Sequence, residues 1–109
     1  MNILEQFKNQ INIINIMYDK VKILGKKSPL LLCQNLDDRK YKAEIMFMDI
    51  NTNEIKIIDK SIVDIINRHT FIAFINEDYV FKVINKKNGS VMIEEEYITR
   101  MSSYTGNLT

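Results

Sequence analysis

The sequence predicts an α+β fold, in which an N-terminal helix packs on a mainly antiparallel sheet of about six to seven short strands. The sheet is arranged as a small barrel or as a meander. Three patterns predict this fold: apolar residues recur at helical spacing in the first 18 positions, apolar and polar residues alternate from Lys20 onward, and turn-forming residues separate the alternating segments. The 109 residues and the 46% apolar share fit one domain over 1–101, followed by a flexible tail over 102–109.

The first 18 residues favour a helix. Its predicted apolar face is formed by Leu4, Phe7, Ile11, Ile14 and Tyr18. Asn2 and Glu5 fit an N-cap and the acid of a capping box. Ile13 and Ile16 lie outside the face, so either the helix is buried on two sides or the chain changes to a strand near Gln10.

Seven segments carry the alternation or the apolar run of a strand. They are residues 20–24, 30–34, 41–48, 54–59, 70–75, 79–84 and a segment that begins at 91. Residues 94–101 either continue the last strand or form a helical turn. Asn88-Gly89 predicts a type I′ hairpin turn before that strand, because this dipeptide readily adopts positive φ angles.

One further helix is expected at 61–68. Ser61 followed by Asp64 has the pattern of an N-cap and its acid, and Ile62, Ile65 and Ile66 follow at helical spacing.

The segment from Lys42 to Ile66 reads as strand, turn, strand and an Ile-rich closing turn. It resembles the sheet portion of the YolD-like family and of Sm and SH3-like barrels, over about a quarter of the chain. The glycine that usually opens the first of those strands is absent. The resemblance implies a small barrel as one architecture and no particular function.

The composition excludes several classes of site and protein. One Cys excludes a disulfide framework and a Cys-based metal site, and three scattered Gly exclude a glycine-rich phosphate loop. No segment has the roughly 20 apolar residues of a membrane span, and the start lacks an export signal. We therefore expect a cytoplasmic protein that has no cofactor and no membrane partner. The excess of Ile, Asn and Lys is typical of an A/T-rich genome and is consistent with a phage or mobile-element origin.

Catalytic residues are not predicted. Cys33 and His69, the single thiol and the single imidazole, would be needed as nucleophile and base. Cys33 is predicted to lie in an apolar strand and His69 at the end of a short helix, where structural roles explain both. The acidic groups at 37–38 and 94–96 are predicted to face water, so we expect no enzyme and no metal site.

Lysines form two clusters that are candidates for nucleic-acid contact. The first contains Lys20, Lys22, Lys26 and Lys27, and the second contains Lys82, Lys86 and Lys87. If the two lie close together they form one patch, with Tyr79 or Phe81 available for base stacking. The alternative is that they protect exposed strand edges from aggregation.

Two strands are apolar on both faces, which is typical of a doubly covered sheet or of an interface. The candidate interface residues are Ile13, Ile16, Met46, Met48, Ile72 and Phe74. The sequence therefore favours a small non-enzymatic protein–protein interaction module, of adaptor or inhibitor type, that binds another protein and forms a homodimer. The alternative function is a nucleic-acid-binding small β-barrel that uses the lysine clusters.

Overall fold

A computed structural model describes residues 2–36 and 41–96 and has the predicted α+β class. The helices are α1 (Ile3–Gln6) and α2 (Lys8–Met17). The strands are β1 (Lys20–Ile23), β2 (Leu30–Leu36), β3 (Tyr41–Asp49), β4 (Glu54–Lys60), β5 (Ile62–Asn67), β6 (Phe71–Asn76), β7 (Val80–Asn85) and β8 (Val91–Glu96). They form two antiparallel meanders, sheet A in the order β1-β2-β3-β4 and sheet B in the order β5-β6-β7-β8.

The N-terminal segment is helical to Met17, as the apolar spacing predicts, and no strand begins near Gln10. The Asn2 side chain caps the first turn by accepting a hydrogen bond from the Leu4 N–H at 2.8 Å. The helix is interrupted at Phe7, whose side chain is fully buried. Neither helix among the described residues is long and apolar enough to cross a membrane.

Sheet A is covered on both faces by this chain itself. On one face α1 and α2 cover a cluster of Phe7, Ile14, Leu31, Cys33, Met46 and Met48. On the other face sheet B covers a cluster that includes Leu30, Leu32, Ile45, Ile62, Ile72, Phe74 and Ile84. The molecule therefore has three layers in the order helices, sheet A, sheet B.

The two sheets do not close into a barrel, so the barrel alternative is wrong. Each sheet is a meander, but the single sheet that the sequence predicts is divided into two. The chain passes from β4 to β5 through a single residue, Ser61, which has a φ of 58°. Its carbonyl accepts a hydrogen bond from the Glu77 N–H at 2.9 Å, which holds this corner against the β6–β7 turn. At the other end of sheet B, β8 is exposed along its whole length.

The prediction of a helix at 61–68 is wrong, because Ile62–Asn67 forms strand β5. A β-bulge between Ile62 and Asp64 inserts one extra residue, so Ile62 and Ile65 both face sheet A although they are three positions apart. That spacing imitates a helical period. β-branched residues also favour a strand over a helix.

The turn at Asn88-Gly89 connects β7 to β8 but is not of type I′. Of the two residues only Gly89 has a positive φ, of 74°, and the turn contains four residues between Asn85 and Ser90. The Gly89 N–H donates to the Asn85 carbonyl at 2.8 Å, and the Asn85 N–H donates to the Ser90 carbonyl at 2.9 Å.

Eight strands are present among the described residues, against the predicted six to seven. β5 takes the place of the short helix and accounts for the difference. Residues 94–96 continue β8, whereas the rest of the 94–101 alternative and the predicted tail at 102–109 lie outside the described residues.

Candidate functional site

Four of the six candidate interface residues are buried inside the chain, which corrects that part of the prediction. Met46 and Met48 lie beneath the helices, and Ile72 and Phe74 lie between the two sheets. Both faces of β3 are apolar, as the sequence predicts: Ile45 belongs to one core cluster and Met46 and Met48 belong to the other. For β3, both faces are covered by layers of the same chain, so neither is available to a partner.

Ile13 and Ile16 do lie on the surface, on the side of α2 that points away from sheet A. Ile16 is 85% exposed, and Met17 beside it is also exposed. The helix therefore carries an apolar strip on its outer side, in addition to the face that it buries.

Sheet B has a second face, directed away from sheet A, which we call the outer face of sheet B. Its apolar side chains are Ile66, Phe71, Ala73, Ile75, Phe81, Val83 and Ile93. The register aligns Ile66, Ala73, Val83 and Ile93 in one apolar row across all four strands. No helix or strand among residues 2–36 and 41–96 packs on this face.

The neighbouring cross-strand row of that face is apolar on the two central strands and acidic on the two edge strands. Ile75 and Phe81 pair with each other, Asp64 pairs with Ile75 on β5, and Glu95 pairs with Phe81 on β8. The predicted interface residues on β6, Ile72 and Phe74, are one position out of phase with Ala73 and Ile75, which face outward. The alternation marks two apolar faces of β6, but it contains no information about which of them sheet A covers.

The lysine clusters meet in part. Lys26 and Lys27 from the β1–β2 turn and Lys86 and Lys87 from the β7–β8 turn line one groove, together with His69 and Thr70. We call this the basic groove; its volume is about 600 Å³. The condition for a shared patch, that the two clusters lie close together, is therefore met for these four lysines.

The other three lysines are placed elsewhere. Lys82 lies between the sheets, where its ammonium group is 3.1 Å from the Asp59 carboxylate. Lys20 and Lys22 are exposed on β1 and do not line the basic groove. One continuous patch of seven lysines is therefore not formed.

Hydrogen bonds between the two turns hold the basic groove in shape. The Ser28 hydroxyl donates to the Lys86 carbonyl at 2.7 Å and accepts from the Leu30 N–H at 3.2 Å. The Lys86 N–H donates to the Thr70 carbonyl at 3.1 Å. Since Ser28 is buried, its two hydrogen bonds are largely shielded from water, and they tie the Lys86 backbone to the β1–β2 turn.

The Lys86 side chain crosses directly over Gly25. Its ammonium group donates to the Asn67 side-chain oxygen and to the Arg68 carbonyl, both at 2.7 Å. A Cβ atom at Gly25 would lie 2.8 Å from the Lys86 Cε atom. Glycine at position 25 therefore leaves space for this route of the lysine.

A second groove, of about 750 Å³, adjoins the first and shares Lys27 and Lys87 with it. Its wall includes the apolar side chains of Pro29, Phe47 and Ile50. Asp49 also lines it; a hydrogen bond from the Asn51 N–H and the neighbouring Lys56 ammonium lower the pKa of that carboxyl.

Cys33 and His69 are not brought together as a catalytic pair. Cys33 is buried on the helix-facing side of sheet A, whereas His69 is exposed beside the basic groove. The acids of β8 are exposed. Within the described ranges, 2–36 and 41–96, no three His, Cys, Asp or Glu side chains are grouped as a metal site.

Burial raises the pKa of the Cys33 thiol to about 11, and the nearby Glu44 carboxylate acts in the same direction. Burial also raises the pKa of Tyr18 to about 12, and the hydrogen bond that its hydroxyl donates to Glu44 adds to this. Both groups are therefore held in their neutral forms beneath the helices.

The Cys33 shift predicts a pH dependence of stability. A thiol that binds its proton more tightly in the folded chain stabilises the fold fully below pH 9, and that contribution is lost as the pH rises towards 11. We expect the free energy of unfolding, measured by urea titration, to fall more steeply between pH 9 and 11 in the natural chain than in Cys33→Ala. Parallel pH profiles for the two proteins would contradict the assignment.

Comparison of this chain with protein-family models, with curated protein sequences and with solved structures gave no match in any of the three.

Proposed function

We propose that this protein is a protein–protein interaction module that associates with a second copy of itself through the outer face of sheet B. The observation that carries the proposal is the apolar row of Ile66, Ala73, Val83 and Ile93, which crosses a sheet face with no described layer over it. Contiguous apolar surface of this kind is typical of association sites.

The size of the face sets the expected strength of the contact. Four strands spaced about 4.8 Å apart, each of about six residues at 3.3 Å, give a face of about 400 Å² in projection. Two such faces together give about 800 Å², which is below the roughly 1,200 Å² at which stable specific interfaces begin and is typical of weak, transient contacts. We therefore expect a reversible dimer that dissociates in the micromolar range of concentration.

Symmetry favours a dimer in which both copies use the outer face of sheet B, because such an assembly is closed. The exposed strip of α2, at Ile13 and Ile16, lies on the opposite side of the three layers from the outer face of sheet B. Contact between that strip and sheet B of another copy would be heterologous, and its repetition would build an open chain of molecules. Face-to-face contact of two B sheets is isologous and ends at a dimer.

The charges at the two ends of the face support a particular orientation. Asp64 and Glu95 lie in the same cross-strand row, at one end of the strands. Arg68 lies at the opposite end of the strands, where its N–H donates to the Phe71 carbonyl at 2.9 Å. A two-fold axis that lies between the two sheets and runs perpendicular to the strands places the acidic end of each copy over the Arg68 end of the other. An axis parallel to the strands would instead place acids over acids, which is repulsive.

Substitution of Ile66 by Lys tests the proposal. Ile66 is 46% exposed on the outer face, so a lysine there fits the monomer but places a charge inside the dimer interface. We expect sedimentation velocity to show a concentration-dependent dimer for the natural chain and a monomer for Ile66→Lys, with the dissociation constant raised at least tenfold.

Ile57→Lys is the matched control. Ile57 is 54% exposed on β4 of sheet A, so the same change is made at similar exposure on a different surface. It should leave the dimer intact. A natural chain that is monomeric at 200 μM, or an equal effect of both substitutions, would refute association through the outer face.

A further inference from the structure

We infer that the basic groove and the groove adjoining it bind single-stranded nucleic acid, with the phosphate backbone along the lysines and a base against the apolar wall. This inference does not depend on the self-association proposed above. The grooves lie between the β1–β2 and β7–β8 turns, whereas the proposed dimer uses the outer face of sheet B.

The first support is the uncompensated charge of the basic groove. Lys26, Lys27, Lys86 and Lys87 line it, and no carboxylate oxygen of residues 2–36 or 41–96 lies within 4.0 Å of their ammonium groups. The net charge of the whole chain is only +1, so these four cations are concentrated rather than typical of the surface. A groove lined by one sign of charge attracts a polyanion.

The second support is the fixed position of Lys86. Its ammonium group donates to two neutral oxygens, at Asn67 and Arg68, so the side chain is ordered by partners that carry no opposing charge. Its backbone is tied to Ser28 and Thr70. A cation that is already ordered loses less conformational entropy when it binds phosphate than a free surface lysine does.

The third support is the adjoining apolar groove. Lys27 and Lys87 belong to both grooves, so a phosphate held between them has the wall of Pro29, Phe47 and Ile50 beside it. A volume of about 750 Å³ accommodates a base with its sugar. Among the described residues that line this groove Asp49 is the only acidic one, and its carboxylate is paired with the Lys56 ammonium group at 3.2 Å.

The chemistry of these side chains also limits the kind of nucleic acid. The groove-lining cations are lysines, which act as point charges on phosphate, and none is an arginine that reads bases by paired hydrogen bonds. An apolar wall beside a cationic groove suits an unpaired base and not a stacked duplex. We therefore expect the protein to bind single strands in preference to duplexes, with little dependence on the base sequence.

The test measures fluorescence anisotropy of a labelled 12-nucleotide dT strand against the full chain at several salt concentrations. With four phosphate contacts, the slope of log K against log salt should be about −3, because single strands give about −0.7 per contact. Lys26→Gln/Lys87→Gln should weaken binding about tenfold at 50 mM salt and make the slope shallower by about 1.4.

Lys20→Gln/Lys22→Gln is the matched control, since it removes the same charge from β1, outside both grooves. It should change the affinity less than twofold. Equal losses in the two double variants would show diffuse attraction and overturn the site. Absence of binding at 50 mM salt would overturn it as well.

Two competitors distinguish the ligand. Unlabelled dT strand should displace the probe, whereas inorganic polyphosphate of equal charge should do so at least tenfold less well, because it has no base for the apolar wall. Equal competition by polyphosphate, stronger binding of duplex DNA, or preferential binding to vesicles of anionic phospholipid would each overturn the assignment to single-stranded nucleic acid.

Discussion

Replacement of Gly89 by Ala is expected to lower the free energy of unfolding by about 2–4 kcal/mol. Two effects add at this position. Gly89 has a φ of 74°, where a side chain is strained, and a Cβ atom there would lie 2.5 Å from Cδ1 of the Phe47 ring. Because Phe47 packs against the core between the sheets, the ring cannot move without disturbing that core.

The measurement is urea denaturation followed by circular dichroism, with Gly25→Ala as the matched control. Gly25 is also in a hairpin turn, but it has no positive φ. Its Cβ would lie 2.8 Å from the Lys86 Cε atom and at an ordinary contact distance, 3.5 Å, from the Ser28 Cβ atom. We expect Gly25→Ala to cost less than about 1 kcal/mol, because the end of the Lys86 side chain can shift at the expense of only two solvent-exposed hydrogen bonds, to Asn67 and Arg68. Similar losses for the two variants would contradict the role assigned to the Phe47 ring.

A second variant separates the two causes at Gly89. Asparagine tolerates positive φ better than alanine but has the same Cβ atom. If conformational strain dominates, Gly89→Asn should recover most of the loss. If contact with Phe47 dominates, as the 2.5 Å separation indicates, Gly89→Asn should be at least as destabilised as Gly89→Ala.

Replacement of Lys82 by Met should destabilise the fold by about 2–3 kcal/mol. The Lys82 and Asp59 side chains are only 17% and 11% exposed, and their charged atoms are 3.1 Å apart. Asn76 donates to both carboxylate oxygens of Asp59 at 3.1 Å. Without the lysine, the largely buried Asp59 carboxylate would lose its cationic partner and retain the neutral Asn76 amide as a hydrogen-bond donor.

The exposed ion pair of Lys56 and Asp49 provides the comparison. The distance is similar, 3.2 Å, but the Lys56 side chain is 52% exposed, so Lys56→Met should cost about 0.5 kcal/mol or less. Thermal and urea unfolding of both variants measure the difference. Equal effects would show that the Lys82 pair is no more shielded from water than the surface pair.

A double variant isolates the cost of the buried charge. Asp59→Asn/Lys82→Met removes both charges and keeps an amide oxygen as acceptor for Asn76. We expect it to be more stable than Lys82→Met alone by about 1 kcal/mol or more, because no unpaired charge remains. A double variant less stable than both single variants would contradict this account.

The parts of the fold that depend on local sequence could be predicted. The helix to Met17 follows from its apolar spacing and from the cap at Asn2, and the hairpin of β3 and β4 follows from alternation on either side of a turn. These features depend on residues that are neighbours along the chain, so the local sequence pattern is sufficient to predict them.

The bulge in β5 shows where a local pattern fails. Ile62 and Ile65 have helical spacing, and only their pairing with Asn76 and Phe74 of β6 makes them a strand. That pairing, and the burial of Ile62 against sheet A, depend on residues distant in the chain. The three-residue spacing of the isoleucines is real, but tertiary contacts make this segment a bulged strand and not a helix.

The candidate sites divide in the same way. Two apolar strand faces, and lysine clusters near positions 26 and 86, are visible in the sequence alone. The structure adds that Met46 and Phe74 face inward while Val83 faces outward. It also shows that Ser28 joins the two turns by a hydrogen bond to Lys86, 58 positions away. Alternation specifies the two sides of a strand, whereas the stacking of the layers sets which side is covered and which turns meet.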